Sequence, residues 1–265
     1  MVARIRKRWS KAATWSRRLG TFAIPALVLT ILAFRLDHMD GTGLFTLLAV
    51  IWLIALLAVG LAIYAFVDIW RDGLIGAGKA AAGMFWGLAA LAIPATAAVL
   101  LVQYPILNDV STDLDDPPFF RTAPAQRTEV MNVHGAISDE QAATQQAGYP
   151  DIATRRYEAD TARLFAAARY VVGGEDWQVI DEIAPIDDRA PARIEAVART
   201  MIFGFRDDIV IRILPDPAGS RLDIRSASRM GRHDLGTNAR RIRAFLKAID
   251  NALLNAPLDY DPAGV

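Results

Sequence analysis

From Leu44 to Val67 the sequence reads LFTLLAVIWLIALLAVGLAIYAFV, 24 residues without one charged side chain. A helix rises about 1.5 Å per residue, so this run exceeds the roughly 30 Å hydrocarbon core of a bilayer. A water-soluble domain has no use for so long an uncharged helix. The run therefore divides the chain into a lipid-embedded front and a water-facing back.

Two further spans flank it. The first covers about 20–36, where a short uncharged stretch lets Arg18 and Arg35 snorkel toward the headgroups. The third covers about 80–102 and contains Pro94, which a bilayer helix tolerates when neighbours satisfy the freed carbonyl. Neither the second nor the third span contains Asp, Glu, Lys, Arg or His, the groups that ion and proton pathways need at membrane depth. Gly83 and Gly87 form a G-x-x-x-G step in the third span, which lets two helices approach closely. Packing inside a three-helix bundle and homodimerisation through the third span are both open to it.

Charge must be read locally, because 29 basic and 29 acidic residues cancel over the whole chain. Residues 1–19 hold Arg4, Arg6, Lys7, Arg8, Lys11, Arg17 and Arg18 and no acid, while the loops between spans carry only Arg35, then Arg71 and Lys79. The positive-inside bias expects this basic tail in the cytoplasm and, after three crossings, everything beyond residue 102 outside it. In a Gram-negative cell that means a multi-pass inner-membrane protein with a periplasmic C-terminal domain. Cleavage as a signal peptide is not expected, since Pro25 interrupts the first apolar run and Arg35 closes it. The chain has no cysteine, which excludes disulfides, thiol nucleophiles and Cys-ligated metals.

Residues 103–150 have seven acids against Arg121 and Arg127 and no helical or strand period, so they read as an extended acidic collar containing Pro117 and Pro118. Phe119 and Phe120 are apolar anchors within it, expected to pack on the folded domain or the membrane surface. Over 151–257 the pattern is α+β, with a short tail at 258–265. IATRRYE is an edge-strand candidate. Asp160 suits an N-cap for TARLFAAARYVV, and WQVIDEIA, RIEAVARTMIFGF, DDIVIRILP and SRLDIRSAS follow as strands. Asp234 or Thr237 caps a last helix whose apolar stripe is Ile242, Phe245, Ile249 and Leu253. The fold expected is a membrane-anchored α+β domain: a mainly antiparallel sheet of about four to five strands with two helices on one face.

Chemistry-bearing motifs are sparse. GLIGAGKA (73–80) approaches a phosphate loop but has Ala80 where the hydroxyl should ligate magnesium, and no strand precedes it. His38, His134 and His233 lie in separate segments without ligand spacing, so no metal or other cofactor is expected. Ser226 and Ser228 lack a G-x-S-x-G elbow, and strand alternation turns them away from Arg225 and Arg229. The segment from Arg221 to Arg243 uses arginine seven times and lysine never, although the planar guanidinium is the better bidentate partner for carboxylates and phosphates. Two readings stay open. In one, Arg225, Ser226, Ser228, Arg229, Arg232, Asn238, Arg240 and Arg241 bind an anionic envelope component or envelope protein. In the other, the arginines pair internally with Asp207, Asp208, Asp223 and Asp234, with Arg225 and Arg229 structural and Arg240 and Arg241 at least partly available. Nucleic acid is not an expected partner, because aromatics are not interleaved with the arginines.

VSTDLDDPP, ARTMIFGFRDDIVIRI and RSASRMGRHDLGTNARRIRAFL together resemble the bacterial family known as domain of unknown function 1499. The resemblance covers about residues 105–255. Its pattern falls on Thr200, Phe205, Asp207, Asp208, Arg225, Ser226, Ser228, Arg229, Gly231, Asp234, Gly236, Asn238, Arg240 and Arg241. Three preceding spans look like one arrangement common in that family, and the resemblance implies no activity. The leading expectation is a non-enzymatic periplasmic interaction module. Its rivals are a hydrolase or transferase using Ser226, Ser228, Asp207 or Asp208, and a lipid-handling domain with an apolar cavity between sheet and helices.

Overall fold

The computed structural model describes residues 8–255. Arg4, Arg6 and Lys7 of the basic tail, and the tail at 258–265, lie outside the described residues. The chain divides into two compact units, Met1–Val99 and Leu100–Val265.

The first unit is built on three helices, each long and apolar enough to cross a membrane: α1 (Lys11–Arg35), α2 (Gly41–Asp72) and α3 (Ala77–Gln103). All three outrun the uncharged stretches that predict them. A charge forbids burial in lipid and does not stop a helix; the stops are capping groups. The Ser10 side chain accepts from the Ala13 amide at 3.2 Å, Asp40 accepts from Gly43 at 2.8 Å, and Gly73 at φ 64° ends α2 in the left-handed region. Gly83 and Gly87 face inward. A Cβ at Gly20 would lie 2.6 Å from the Gly83 carbonyl oxygen, and one at Gly87 would lie 3.0 Å from that of Ala55, so these glycines hold α3 against α1 and α2. Ser16 donates to the Ala58 carbonyl at 2.8 Å and ties α1 to α2. The glycine-rich turn resembling a phosphate loop closes on its own unit: Ile75 pairs with Trp9, and the Lys79 ammonium sits 4.0 Å from the Trp9 ring centre.

The second unit is an α+β domain with a six-stranded antiparallel sheet. Its strands are β1 (Asp109–Ser111), β2 (Arg155–Tyr157), β3 (Gln178–Ile183), β4 (Ala192–Arg199), β5 (Arg206–Asp216) and β6 (Gly219–Ser228). The order is β1-β6-β5-β4-β3, with β2 lying on the same flank of β6 as β1. Period-two alternation in β5 and β6 sorts the side chains. Ile209, Ile211, Ile213, Leu222 and Ile224 turn to one face and are covered by helices α5 (Thr161–Gly174) and α6 (Thr237–Asn255). Asp160 caps α5 as its sequence predicts, accepting from the Arg163 amide at 2.7 Å. The space between sheet and helices is filled by Leu164, Phe165, Val172, Ile242, Phe245 and Ile249, so this layer is solid core.

The segment 103–150, read from the sequence as an extended acidic collar, contains regular structure. It supplies β1, a 3-10 turn at Ala123–Gln126 and helix α4 (Asp139–Gly148), whose Ser138 and Gln141 form a reciprocal capping box. It covers the second sheet face, where Phe120 and Ala123 pack on Val210 and Ala227. Its period is unreadable because it is bound by ionic and amide contacts one residue at a time, with no repeating apolar stripe.

Candidate functional site

The arginine-rich segment is split between the two faces of the sheet by the alternation of β6. On the helix side, Ser226 donates to Asn238 Oδ1 at 2.7 Å, and Asn238 donates to Ser228 Oγ at 3.0 Å and to the Asn108 carbonyl at 3.2 Å. Arg241 reaches in from α6, giving Ser226 and Asn238 one nitrogen at 2.9 and 2.8 Å and Asp207 the other at 2.6 Å. Asp234 accepts from the Gly236 and Asn238 amides, both at 2.8 Å, so the acid caps α6 and, among the described residues, pairs with no arginine. Burial pushes the Asp234 carboxyl above its ordinary value, and these two amide bonds offset only part of that.

On the opposite face Asp208 is fully buried between two guanidiniums and a histidine. Arg229 approaches at 2.6 and 2.8 Å, Arg127 at 2.7 Å, and His134 Nε2 lies 3.2 Å from Oδ2 while its ring stacks on Phe120. Burial raises the Asp208 pKa, but His134 and the two guanidiniums outweigh it and hold the carboxyl below the usual carboxylate range. Arg225 makes a bidentate pair with Asp109, at 2.9 and 2.7 Å, rather than with any of the four expected acids. Asp223 belongs to Arg212, at 2.9 Å, and accepts from Thr154 at 2.5 Å. Glu195, also buried, accepts from the amides of Arg121, Thr122 and Ala123 at 2.6, 2.9 and 3.0 Å.

Arg229 thus pairs with Asp208, and Arg241 with Asp207. Arg241 is not available, since its side chain is only 10% exposed. Among the described residues Arg232 has no ion-pair partner and Arg240 has neutral ones only: the Leu235 carbonyl at 3.0 Å, Thr237 Oγ1 at 3.3 Å and the Tyr104 ring. Both are exposed. Ser226, Ser228, Asp207 and Asp208, the groups a hydrolase would use, are buried, the serines bonded to Asn238 and the acids to arginine.

Asp109, Arg127, Glu195 and Arg212 are not among the candidate site residues read from the sequence, where His134 is weighed only as a metal ligand. Two of them left a signal: Glu195 interrupts the apolar RIEAVA and Arg212 the apolar DDIVIRILP, each at a strand centre where a solvated charge is out of place. Among the described residues no group of three or more His, Asp or Glu is arranged to hold a metal ion.

The loop after β6 also grips the chain arriving from α3. His233 Nε2 donates to the Tyr104 carbonyl at 3.1 Å while its Nδ1 accepts from the Leu235 amide at 2.9 Å, an arrangement that assigns the neutral Nε2–H tautomer. Gly236, at φ 74°, lets the Tyr104 ring approach where a Cβ would stand 2.7 Å from it. The Leu107 carbonyl accepts from Asp234, and that of Asn108 from Ser228.

Residues 109–249 match the family described as "Protein of unknown function (DUF1499)". No curated protein matches the chain.

Proposed function

Since the chain belongs to the DUF1499 family, whose description assigns no activity, we propose from the geometry of its own residues that it is a membrane-anchored interaction module. Three apolar helices hold it in the bacterial inner membrane, the basic N-terminus stays in the cytoplasm, and the α+β domain works in the periplasm. One observation carries the binding reading: Arg225, Arg229 and Arg241 are consumed by internal acids, whereas Arg232 and Arg240 stand exposed in the loop and first turn of α6 with no acidic partner among the described residues. Those two would take an anionic envelope component. Gly83 and Gly87 are occupied within the bundle, so a homodimer through α3 would have to use its exposed side, around Phe85 and Leu88.

The test is the full chain in zwitterionic nanodiscs, titrated with fluorescent inorganic polyphosphate at two salt concentrations. The double variant Arg232→Ala/Arg240→Ala should lose most of the salt-sensitive binding. Arg155→Ala/Arg156→Ala, which removes another exposed basic pair, should keep it. Equal loss in both variants would reduce the site to general surface charge.

A further inference from the structure

The turn between α2 and α3 is strapped to the segment that precedes α1. The Ile75 amide donates to the Arg8 carbonyl and the Ser10 amide to the Ile75 carbonyl, both at 3.0 Å, so Trp9 is held between two backbone bonds. Gly76 permits this closeness. Its φ of 137° is open to glycine, and a Cβ there would stand 3.1 Å from that of Ala13. The strap sets Trp9 beside Lys79, in the first turn of α3. The Lys79 ammonium lies 4.0 Å from the Trp9 ring centre, within cation–π range, and 3.5 Å from Thr14 Oγ1 on α1. Trp9 is itself 57% exposed, and Lys79 has no acidic partner among the described residues.

The seam between α1 and α3 continues from this point. A Cβ at Gly83 would stand 2.7 Å from the Arg17 amide nitrogen, so the two helices meet there backbone to backbone. Arg17 lies one turn after Thr14 on the same side of α1, is exposed, and likewise has no acidic partner among the described residues. Thr21 and Val28 follow along that side, and on α3 Trp86 follows Lys79 by two turns, about 10 Å further along the helix. Both helices thus change from polar to apolar away from the strap. Val28 is 49% and Trp86 38% exposed, with the Phe85 ring edge-on to Trp86 at 4.9 Å. At the strapped end the described residues set Arg8, Lys11, Arg17, Arg18, Arg71 and Lys79 against only Asp68 and Asp72.

We propose that Lys79, Arg17 and Thr14, with Trp9 as a wall, form a site for the phosphodiester of an anionic phospholipid whose acyl chains run along the α1–α3 seam. The occupant is a lipid and not a soluble phosphate because the two cations stand over an apolar seam that acyl chains cover. It is anionic because the surplus of cations at this end favours a headgroup of net negative charge, the kind that basic recesses between membrane helices take up. The site rests on the three helices being membrane spans and not on anion binding at Arg232 and Arg240.

The sequence has only four lysines, Lys7, Lys11, Lys79 and Lys247, so amine acetylation reads the site in the unmutated chain. The full chain is acetylated in phosphatidylcholine nanodiscs with or without phosphatidylglycerol, and its peptides are quantified by mass spectrometry. Phosphatidylglycerol should slow Lys79 several-fold relative to Lys11 and Lys247, and inorganic phosphate added to the phosphatidylcholine discs should not. Native mass spectrometry of the chain in detergent with equal amounts of both lipids gives a second readout. The wild type should retain phosphatidylglycerol in preference. Arg17→Gln/Lys79→Gln should cut that preference about 25-fold, at about five-fold for each cation near an anionic surface. Arg71→Gln, which removes another exposed cation from the same end, should keep it. Arg232→Ala/Arg240→Ala should keep it too, so failure of the polyphosphate site is read separately from failure of this one. Acetylation of Lys79 at the same relative rate with and without phosphatidylglycerol would overturn the proposal. So would protection by inorganic phosphate, which marks a free-anion site, or equal loss in Arg71→Gln, which marks general surface charge.

Discussion

At the residue scale the most consequential group is Asp208, a carboxylate with no exposed surface held by two guanidiniums and a histidine. Its stability contribution has a definite sign. The folded pKa lies below the unfolded one, so the contribution is complete above about 3.9 and is lost as pH falls through the folded value. Asp234 runs the other way. Its folded pKa is raised, so its contribution declines as pH climbs from the ordinary carboxylate value through the raised one. Asp234→Asn should therefore flatten the slope of Tm against pH on the mildly acidic side, and Asp208→Asn the slope at stronger acid. Arg229→Ala and Arg241→Ala each strand a buried carboxylate and should cost about 3–5 kcal/mol. Arg232→Ala and Arg240→Ala should cost less than about 1 kcal/mol, because both are exposed. Denaturant melts of the chain in detergent would separate the two classes. The alternation of β6 made the division between Ser226/Ser228 and Arg225/Arg229 legible, whereas the partners were not: pairing Arg225 with Asp109 joins residues 116 apart that no local pattern links.

At the scale of elements the decisive piece is the segment before Asp151. Its structure is hidden in the sequence because three-residue β1 and a 3-10 turn have no period to detect, while α5, β5, β6 and α6 declare themselves through long apolar repeats. Yet it provides the three amides on Glu195, the acid for Arg225, and Arg127 and His134 for Asp208. A fragment starting at Asp151 should consequently expose a face of unpaired buried charges and behave as a molten or aggregating species. One starting at Tyr104 should unfold in a single cooperative step, as near-UV dichroism and a guanidinium melt would show. In the membrane unit the equivalent test is Gly87→Ile, where Val59 and the Ala55 carbonyl leave no room for a side chain. The variant should lower the thermal stability of the bundle in nanodiscs.

At the scale of the molecule, the three spans were plain from hydropathy, and their true ends were not, since caps rather than apolarity terminate them. The orientation proposal is checked by reporters: a periplasm-active phosphatase after Val265 should be active, and a cytoplasm-only fluorescent protein at the same point should be dark. The sheet's two rims bear on how many copies share one membrane. The flank of β6 carries two separate three-residue strands, β1 and β2, and β3 on the far side is broken by a bulge between Val179 and Asp181, with Asp181 and Glu182 beside it. Among the described residues neither rim offers a long, flat row of unpaired amides, and Arg193 and Arg169 hold Asp181 and Glu182 in ion pairs that further interrupt the β3 side. Confinement to two dimensions multiplies encounters between neighbouring domains, and these interrupted rims keep such collisions from templating cross-β fibres.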